Sequence, residues 1–418
     1  DNIHENVEQD YPDFLRDESR RTGQASSISF PTTAAQLHEH LRWAAERELS
    51  VTTQGARTGI TGGAVPDGGH IINLSRMNRM RALRAHEDGR RFVLTVEPGV
   101  LLQDVNRCAA ACRFDGEEDW SEASRQALKA MQAAGGAFLF PPDLTETTAS
   151  IGGLAACNGS GARSFAYGPT RAHVAGLGVA LVDGDRLQLQ RGRERTAGRA
   201  FALKTAGGRA LQGELPGYSM PDVKNAAGYF AADDMDVIDL FVGSEGTLGL
   251  FESLDVVLIP MPRVLWGVTC FLPSEEAAIA FVQRIRRDTC CTAVEFLDHA
   301  ALDLLRRQKT ENPAFGEIPE LDDAWHSAVY AEYQGRAEEQ VEEQVMMMSE
   351  ALEACGGDSD ATWLATGVKE IERFKTFRHA VPESVNMMID ERRKSDPRLT
   401  KLGTDLSVPD AALGDVMK

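Results

Sequence analysis

Four glycines and three polar side chains lie within nine residues, GARTGITGG at 55–63, and this loop is the part of the chain best suited to holding an anion. Gly55, Gly59, Gly62 and Gly63 leave the backbone free to turn several N–H groups toward one point, and Arg57, Thr58 and Thr61 add side-chain donors. The loop lacks the Lys-Ser/Thr pair of a mononucleotide P-loop. The residues after it read as strand instead of helix, which also argues against a dinucleotide Rossmann turn. Two further glycine-dense segments stand at 152–161 and 243–249. A packed lobe seldom needs close backbone approach at three separated places, so the pattern predicts an elongated, diphosphate-bearing ligand lying between them.

Outside the glycines, Arg378 has the sharpest chemistry. Ile371, Phe374, Arg378 and Val381 share one stripe at helical spacing, which turns Arg378 inward among apolar neighbours, and a buried guanidinium needs an anion. A structural acid and a ligand carboxylate satisfy that need equally well. The nine histidines show no pair at metal-ligand spacing. Seven cysteines without a CxxC spacing argue against a disulfide framework and against a zinc or iron–sulfur site.

The elements that must position these residues are set by the apolar periodicity. A helix is expected from 37 to about 48, a strand at 51–54 leading into the first glycine loop, strands at 71–74 and 92–96, and a helix at 102–112. The acidic stretch GEEDWSE after it reads as a solvated insertion. Strands at 178–182 and 187–189 flank a turn, and 250–259 is an apolar run after the third glycine cluster. Beyond Pro262 strands and helices alternate: 265–271, 274–286, 293–297, a helix through 305, 328–333, 338–354, 361–365 and a helix from 369. Two βαβ-like units in succession predict a ferredoxin-like layer.

At 418 residues the chain is long enough for two or three lobes. A formal charge of −19 disfavours nucleic acid as a partner, and it requires any anionic ligand to be held by a local device against the overall field. No apolar stretch reaches the length of a transmembrane helix. No secretory or transit signal is visible at the N-terminus, which does not begin with Met. With the cysteine usage, this predicts a cytoplasmic setting, peripheral to a membrane only through a partner.

Eight segments stand in an order that carries a family resemblance: PTTAAQLHEHLRWAAERELSVTTQGARTGITGGAVP, INLSRMNRM, VEPGV, FPPDLTETTASIGGLAACNGSGARSFAYG, VKNAAGY, GSEGTLGLFESLDVVLIP, VEFLDHAALDLL and KLGTDLSVP. In these, spanning roughly 31–409, the sequence resembles the FAD-binding oxidoreductases of the vanillyl-alcohol oxidase type. It is most similar to their D-lactate, glycolate and D-2-hydroxyglutarate dehydrogenase branch. The resemblance implies an α+β fold: a two-subdomain PCMH-type FAD-binding lobe over 1–262, then a ferredoxin-like antiparallel substrate cap over 263–418.

It also implies site roles. Gly55, Arg57, Thr58, Gly59, Thr61 and Gly62 would wrap the FAD pyrophosphate; Pro142, Asp143, Ser150, Gly152, Gly153 and Asn158 would continue along the cofactor; Glu245, Gly246 and Leu248 would lie near the flavin or its ribityl arm. Relatives that bind FAD covalently carry a His in the first loop, where this chain has Ile60 and Thr61, so non-covalent FAD is expected. The segment FKTFRHAVPE resembles the substrate-carboxylate arginine segment, which favours Arg378 as the anchor, with Lys401 and Thr404 as further contacts. The implied reaction passes hydride from a small D-2-hydroxy acid to flavin N5. Electrons would go on to a quinone or an electron-acceptor protein such as an iron–sulfur subunit, because no nicotinamide motif is present. The branch's paired-His metal site and Glu-His pair lie beyond the DLSVP strand, so the cap reads as truncated at its C-terminal end, the catalytic base stays unassigned, and a divalent metal is expected only with that segment. A non-catalytic flavin subunit and an ether-lipid-synthase-like transferase are the alternative readings.

Overall fold

The structure is a computed structural model, and it describes residues 3–142, 146–226, 228–316, 319–396, 398–399 and 406–417, excluding the side chains of 314, 368, 369, 372, 373, 375, 376, 378 and 379. The chain divides into two compact units, Asp1–Met261 and Pro262–Lys418.

The first unit contains two sheets. In the smaller, strands Ser27–Ser29, His70–Asn73 and Val51–Gln54 run parallel, with Ile3–Glu5 antiparallel at one edge. Helix Ala34–Ala45 crosses between its strands. Thr33 caps it by accepting from the Gln36 N–H, and Leu37, Leu41 and Ala44 bury its inner stripe. The strand Val51–Gln54 ends at the first glycine loop, so this sheet aims the loop.

Its interior holds a histidine. His70 is fully buried, with Ser27 Oγ 2.8 Å from Nδ1 and Ser29 Oγ 2.9 Å from Nε2. Burial pushes its pKa down to about 4, with nearby His40 adding to the effect. The folded state therefore prefers neutral His70, and its full stability is present above pH 6.5 and lost as pH falls from there toward 4. At about 1.4 kcal/mol per unit, a loss of about 2 kcal/mol is expected between pH 6.5 and 5. Urea unfolding at both pH values checks this, and a His70→Asn variant with an unchanged pH slope would refute it.

The larger sheet orders strands Met80–Ala85, Phe92–Val96, Leu250–Pro260, Val174–Ala180 and Arg186–Gln190, all antiparallel, with Phe138–Leu139 also pairing the long central strand. The central strand buries Leu254, Val256 and Leu258 in the same core as the inner faces of helix Leu102–Ala111 and helix Glu122–Ala133. The segment GEEDWSE is not simply solvated. Trp120 is 3% exposed and donates its indole N–H to the Met80 carbonyl at 2.8 Å, and Ser121 caps the next helix. One large ring needing burial outweighs its four acidic neighbours. A hairpin of Ala200–Lys204 with Ala210–Glu214 was also not evident from the sequence.

In the second unit the strand order is Cys291–Leu297, Ser327–Gly335, Val264–Leu272, Trp363–Ala365, antiparallel throughout. That is the ferredoxin-like order. Helices Glu275–Asp288 and Glu338–Ala354 cover one face through Phe281, Ile285, Val341 and Met348. Helices His299–Glu311 and Val368–Arg393 cover the other through Leu302, Leu305, Phe374 and Phe377. No helix among the described residues is long and apolar enough to cross a membrane.

Candidate functional site

The three glycine segments converge. A cavity of ≈ 270 Å³ within the first unit is lined by 55–59, 61 and 63 from the first, by Ser150, Gly152, Gly153, Cys157 and Gly159 from the second, and by Glu245, Gly246 and Gly249 from the third.

Each wall is held by its own polar device. The first loop is pinned at its base by Gln54, 1% exposed, whose side-chain amide donates to the carbonyls of Phe14 at 2.7 Å and Ala64 at 2.8 Å. Asn73 donates to Gly55 O at 3.3 Å beside it. Arg57 adopts a left-handed backbone, φ 63°. Its guanidinium donates to the Asp13 carbonyl and lies 4.3 Å over the Phe14 ring, and burial pulls its pKa below the ordinary value. The Arg57 side chain is thus engaged with the N-terminal segment, while its backbone lines the cavity side of the loop.

The second wall is helix Ile151–Ala156, short and with two glycines, a poor helix by propensity. Ser150 caps it by accepting from Gly153 N–H, and Gly152 lets it sit against Pro98: a Cβ there would meet the Pro98 Cβ at 2.6 Å and its carbonyl at 2.9 Å. A Cβ on Gly55 would meet Ser150 Oγ at 2.2 Å. These two glycines therefore set how closely the first and second walls approach.

The third wall hangs from the second. Gly243 N–H donates to Ala155 O and Glu245 N–H to Ala156 O, both at 2.9 Å, so the third segment satisfies the last carbonyls of the short helix. Behind this junction sits Arg171. Its N–H reaches Asn158 Oδ1 at 3.0 Å, and its guanidinium donates to the Asp239 carbonyl and to Val242 O at 2.7 Å, over the Phe230 ring at 4.6 Å. Burial pulls its pKa down to about 10, so it remains charged at neutral pH.

Of the expected site residues, Gly55, Arg57, Thr58, Gly59, Thr61, Ser150, Gly152, Gly153, Glu245 and Gly246 line the cavity. Four stand elsewhere. Gly62 faces Ser19 and Arg21, Pro142 is buried, Asn158 is 4% exposed and bonded to Arg171, and Leu248 packs on the core. Asp143, Lys401 and Thr404 lie outside the described residues, as does the Arg378 side chain. Among the described side chains of helix Val368–Arg393, Ile371, Phe374, Phe377, Ala380 and Ser384 are buried and Val381 is half-buried. Sequence reasoning did not pick out Pro98, Glu146, Cys157 or Phe251 as lining residues; only Pro98, in VEPGV, sat in a short turn motif of its own. Cys157 is exposed at the cavity wall, and desolvation by the surrounding walls pushes its thiol up, with Glu245 adding to the shift. No group of three or more potential metal ligands occurs among the described residues.

The donors suit FAD. Glycines whose missing Cβ atoms let the three walls close around one space, a first loop of small residues beside it and a cavity with few charged side chains fit a diphosphate-bearing dinucleotide.

Comparison with known proteins agrees. Residues 25–118 match the FAD binding domain family, and 261–418 match the C-terminal domain of FAD linked oxidases. The chain is 28% identical over 353 residues to D-lactate dehydrogenase of Anaerostipes hadrus, covering 82% of this chain and 60% of that one. It is 28% identical over 312 residues to D-2-hydroxyglutarate dehydrogenase of Xanthomonas citri pv. viticola, covering 74% and 52%. To glycolate oxidase subunit GlcD of Bacillus subtilis it is 26% identical over 279 residues, covering 66% and 46%. It thus spans about half to three-fifths of the length of these relatives. Among solved structures, an alkyldihydroxyacetonephosphate synthase shares the fold at 13% identity and a TM-score of 0.54, over 86% of this chain and 57% of that one. The chain thus carries matches to the FAD binding domain and to the C-terminal domain of FAD linked oxidases, and its relatives are named as 2-hydroxy-acid dehydrogenases or oxidases.

Proposed function

We propose that this chain uses non-covalently bound FAD to oxidise a small D-2-hydroxy acid of the lactate, glycolate or 2-hydroxyglutarate kind. The convergence of three glycine segments on one cavity carries the cofactor half of this reading. The names of the sequence relatives support the substrate half. Bound FAD supplies the two-electron acceptor. The first loop holds the diphosphate by main-chain N–H groups, which is how an acidic protein retains an anionic cofactor. Gly152 lets the second wall sit back against Pro98, Gly55 lets the first wall close on Ser150, and Ser150 caps the second wall's helix.

Arg378 anchors the substrate carboxylate in this proposal, with Lys401 and Thr404 adding contacts. The group that takes the hydroxyl proton is unassigned. Electrons leave to a quinone or an acceptor protein such as an iron–sulfur subunit. The setting is cytoplasmic, supported by seven free cysteines, with any membrane association made through a partner.

Anaerobic titration of the FAD-loaded protein with D-lactate, glycolate, D-2-hydroxyglutarate and the L enantiomers tests the activity. One D acid should bleach the flavin absorbance; no bleaching by any of them sinks the proposal. Arg378→Ala should raise KM by about 100-fold with flavin content unchanged, the loss expected when one partner of a desolvated charge pair is removed. An unchanged KM removes Arg378 from the site.

A further inference from the structure

Residues 11–24 precede the matched FAD binding domain, which starts at 25, yet they engage the first glycine loop at both of its ends. At the near end Gln54 donates its amide to the Phe14 carbonyl at 2.7 Å, and Glu18 N–H donates to Arg57 O at 3.3 Å. At the far end a Cβ on Gly62 would lie 3.7 Å from Ser19 Oγ and 3.8 Å from Arg21 Cδ, and Gln24 N–H donates to Pro66 O at 3.1 Å. Between these points the segment is closed on itself: Gly23 N–H donates to Leu15 O at 2.8 Å, and Arg16 pairs with Thr22 in an antiparallel bridge.

Arg57 fastens the two together. Its φ of 63° is a conformation that glycine takes without strain, so a side chain retained there calls for a reason. The reason lies on the N-terminal side, where its guanidinium donates to the Asp13 carbonyl and covers the Phe14 ring at 4.3 Å. Phe14 is held in turn, edge-on to Phe30 at 5.1 Å and packed on a small core that includes Leu15 and Ile28. The strained residue thus ties the loop to an anchored ring.

We propose that residues 13–24 form a clasp on the first glycine loop, fastened by Arg57 as a positioning residue, and that this clasp sets how slowly FAD leaves without touching it. Main-chain N–H groups converge on a phosphate only while the loop keeps its shape, and a loop built on glycine has little of its own to keep it. The fastened segment removes that freedom. By reciprocity, bound FAD must hold the clasp shut as firmly as the clasp holds FAD. The inference rests on the reading of the cavity as the FAD site.

Arg57→Gly unfastens the clasp while relieving the backbone, so the fold is kept. Its FAD dissociation rate, followed as the return of free-flavin fluorescence after dilution of the loaded protein, should rise about 10-fold, as for one lost hydrogen bond to a charged group. Phe14→Leu keeps an apolar side chain in the small core and removes only the ring, and a rise of about 3-fold is expected. Because both act through one contact, the double variant should release FAD no faster than Arg57→Gly alone. An arginine that gripped the diphosphate itself would leave release unchanged in Phe14→Leu. In the apo-protein, hydrogen exchange at the Gly23 and Gln24 amides should quicken about 10-fold in Arg57→Gly, and in the wild type it should slow when FAD is added. A wild-type release rate in either single variant overturns the proposal, as do independent, multiplying effects in the double variant. Unchanged exchange at 23 and 24 in Arg57→Gly overturns it whatever the flavin does. Wild-type protein that does not bind FAD defeats the cofactor reading, and the apo-protein exchange then still decides whether the clasp exists.

Discussion

Gly152→Val is expected to give folded, nearly colourless protein. Gly152 touches Pro98 through bare backbone, its N–H donating to the Pro98 carbonyl at 2.8 Å, and a Cβ would stand 2.6 Å from Pro98 Cβ and 3.0 Å from its Cα. Neither proline atom can rotate away, so the short helix must move into the cavity it borders. Overpacking of this kind costs about 1–3 kcal/mol, within the stability of an ordinary domain. The same displacement spoils every contact the second wall makes with a ligand, and FAD affinity should drop at least about 100-fold. Flavin absorbance per mole of purified protein, with far-ultraviolet circular dichroism as the check on folding, measures it. Gly55→Ala is a milder companion: the atom it meets first is the Ser150 hydroxyl, which can rotate away with loss of the Gly153 N–H contact, and a fall of about 10-fold is expected. Full flavin content in Gly152→Val would show that the second wall does not bound the cofactor.

The second large effect belongs to Arg171→Leu. The arginine is about 15% exposed at its side chain and satisfies two carbonyls at the end of helix Ile238–Phe241, while sharing Asp239 with Arg191, which reaches that carboxylate at 2.8 and 3.1 Å. Leucine keeps the stem but strands both carbonyls and half-strips Asp239. Removing one partner of a buried ionic network costs about 3–5 kcal/mol. Because Val242 leads directly into the third glycine segment, the loss should appear both as a lower urea midpoint and as faster FAD release. Arg171→Lys should recover only part of it, since an ammonium cannot fork to two carbonyls and stack on Phe230 together. A leucine variant as stable as wild type would mean that the network around Asp239 reorganises without cost.

Both variants act where residues distant in the chain meet, which is where local reading had least to say. Phe92–Val96 was legible as a short apolar run, and Glu338–Ala354 because its buried Val341, Met348 and Leu352 recur at helical spacing. The helix Ile151–Ala156 was not, because its two glycines argue against a helix and only its Ser150 cap and its seat on Pro98 favour it. Trp120 was masked by acidic neighbours, although its ring is buried and its N–H bonded.

Glycine spacing by itself pointed to an elongated diphosphate-bearing ligand, and a formal charge of −19 to a local device for holding it against the overall field. The order of the motifs was enough to name the family. Only the tertiary structure decided which residues bound the cavity. It turned Asn158 to Arg171 and Leu248 to the core, and brought in Pro98 and Cys157. The physical reason is that a side chain's direction depends on the walls it packs between, and those walls are built from segments nearly 200 residues apart.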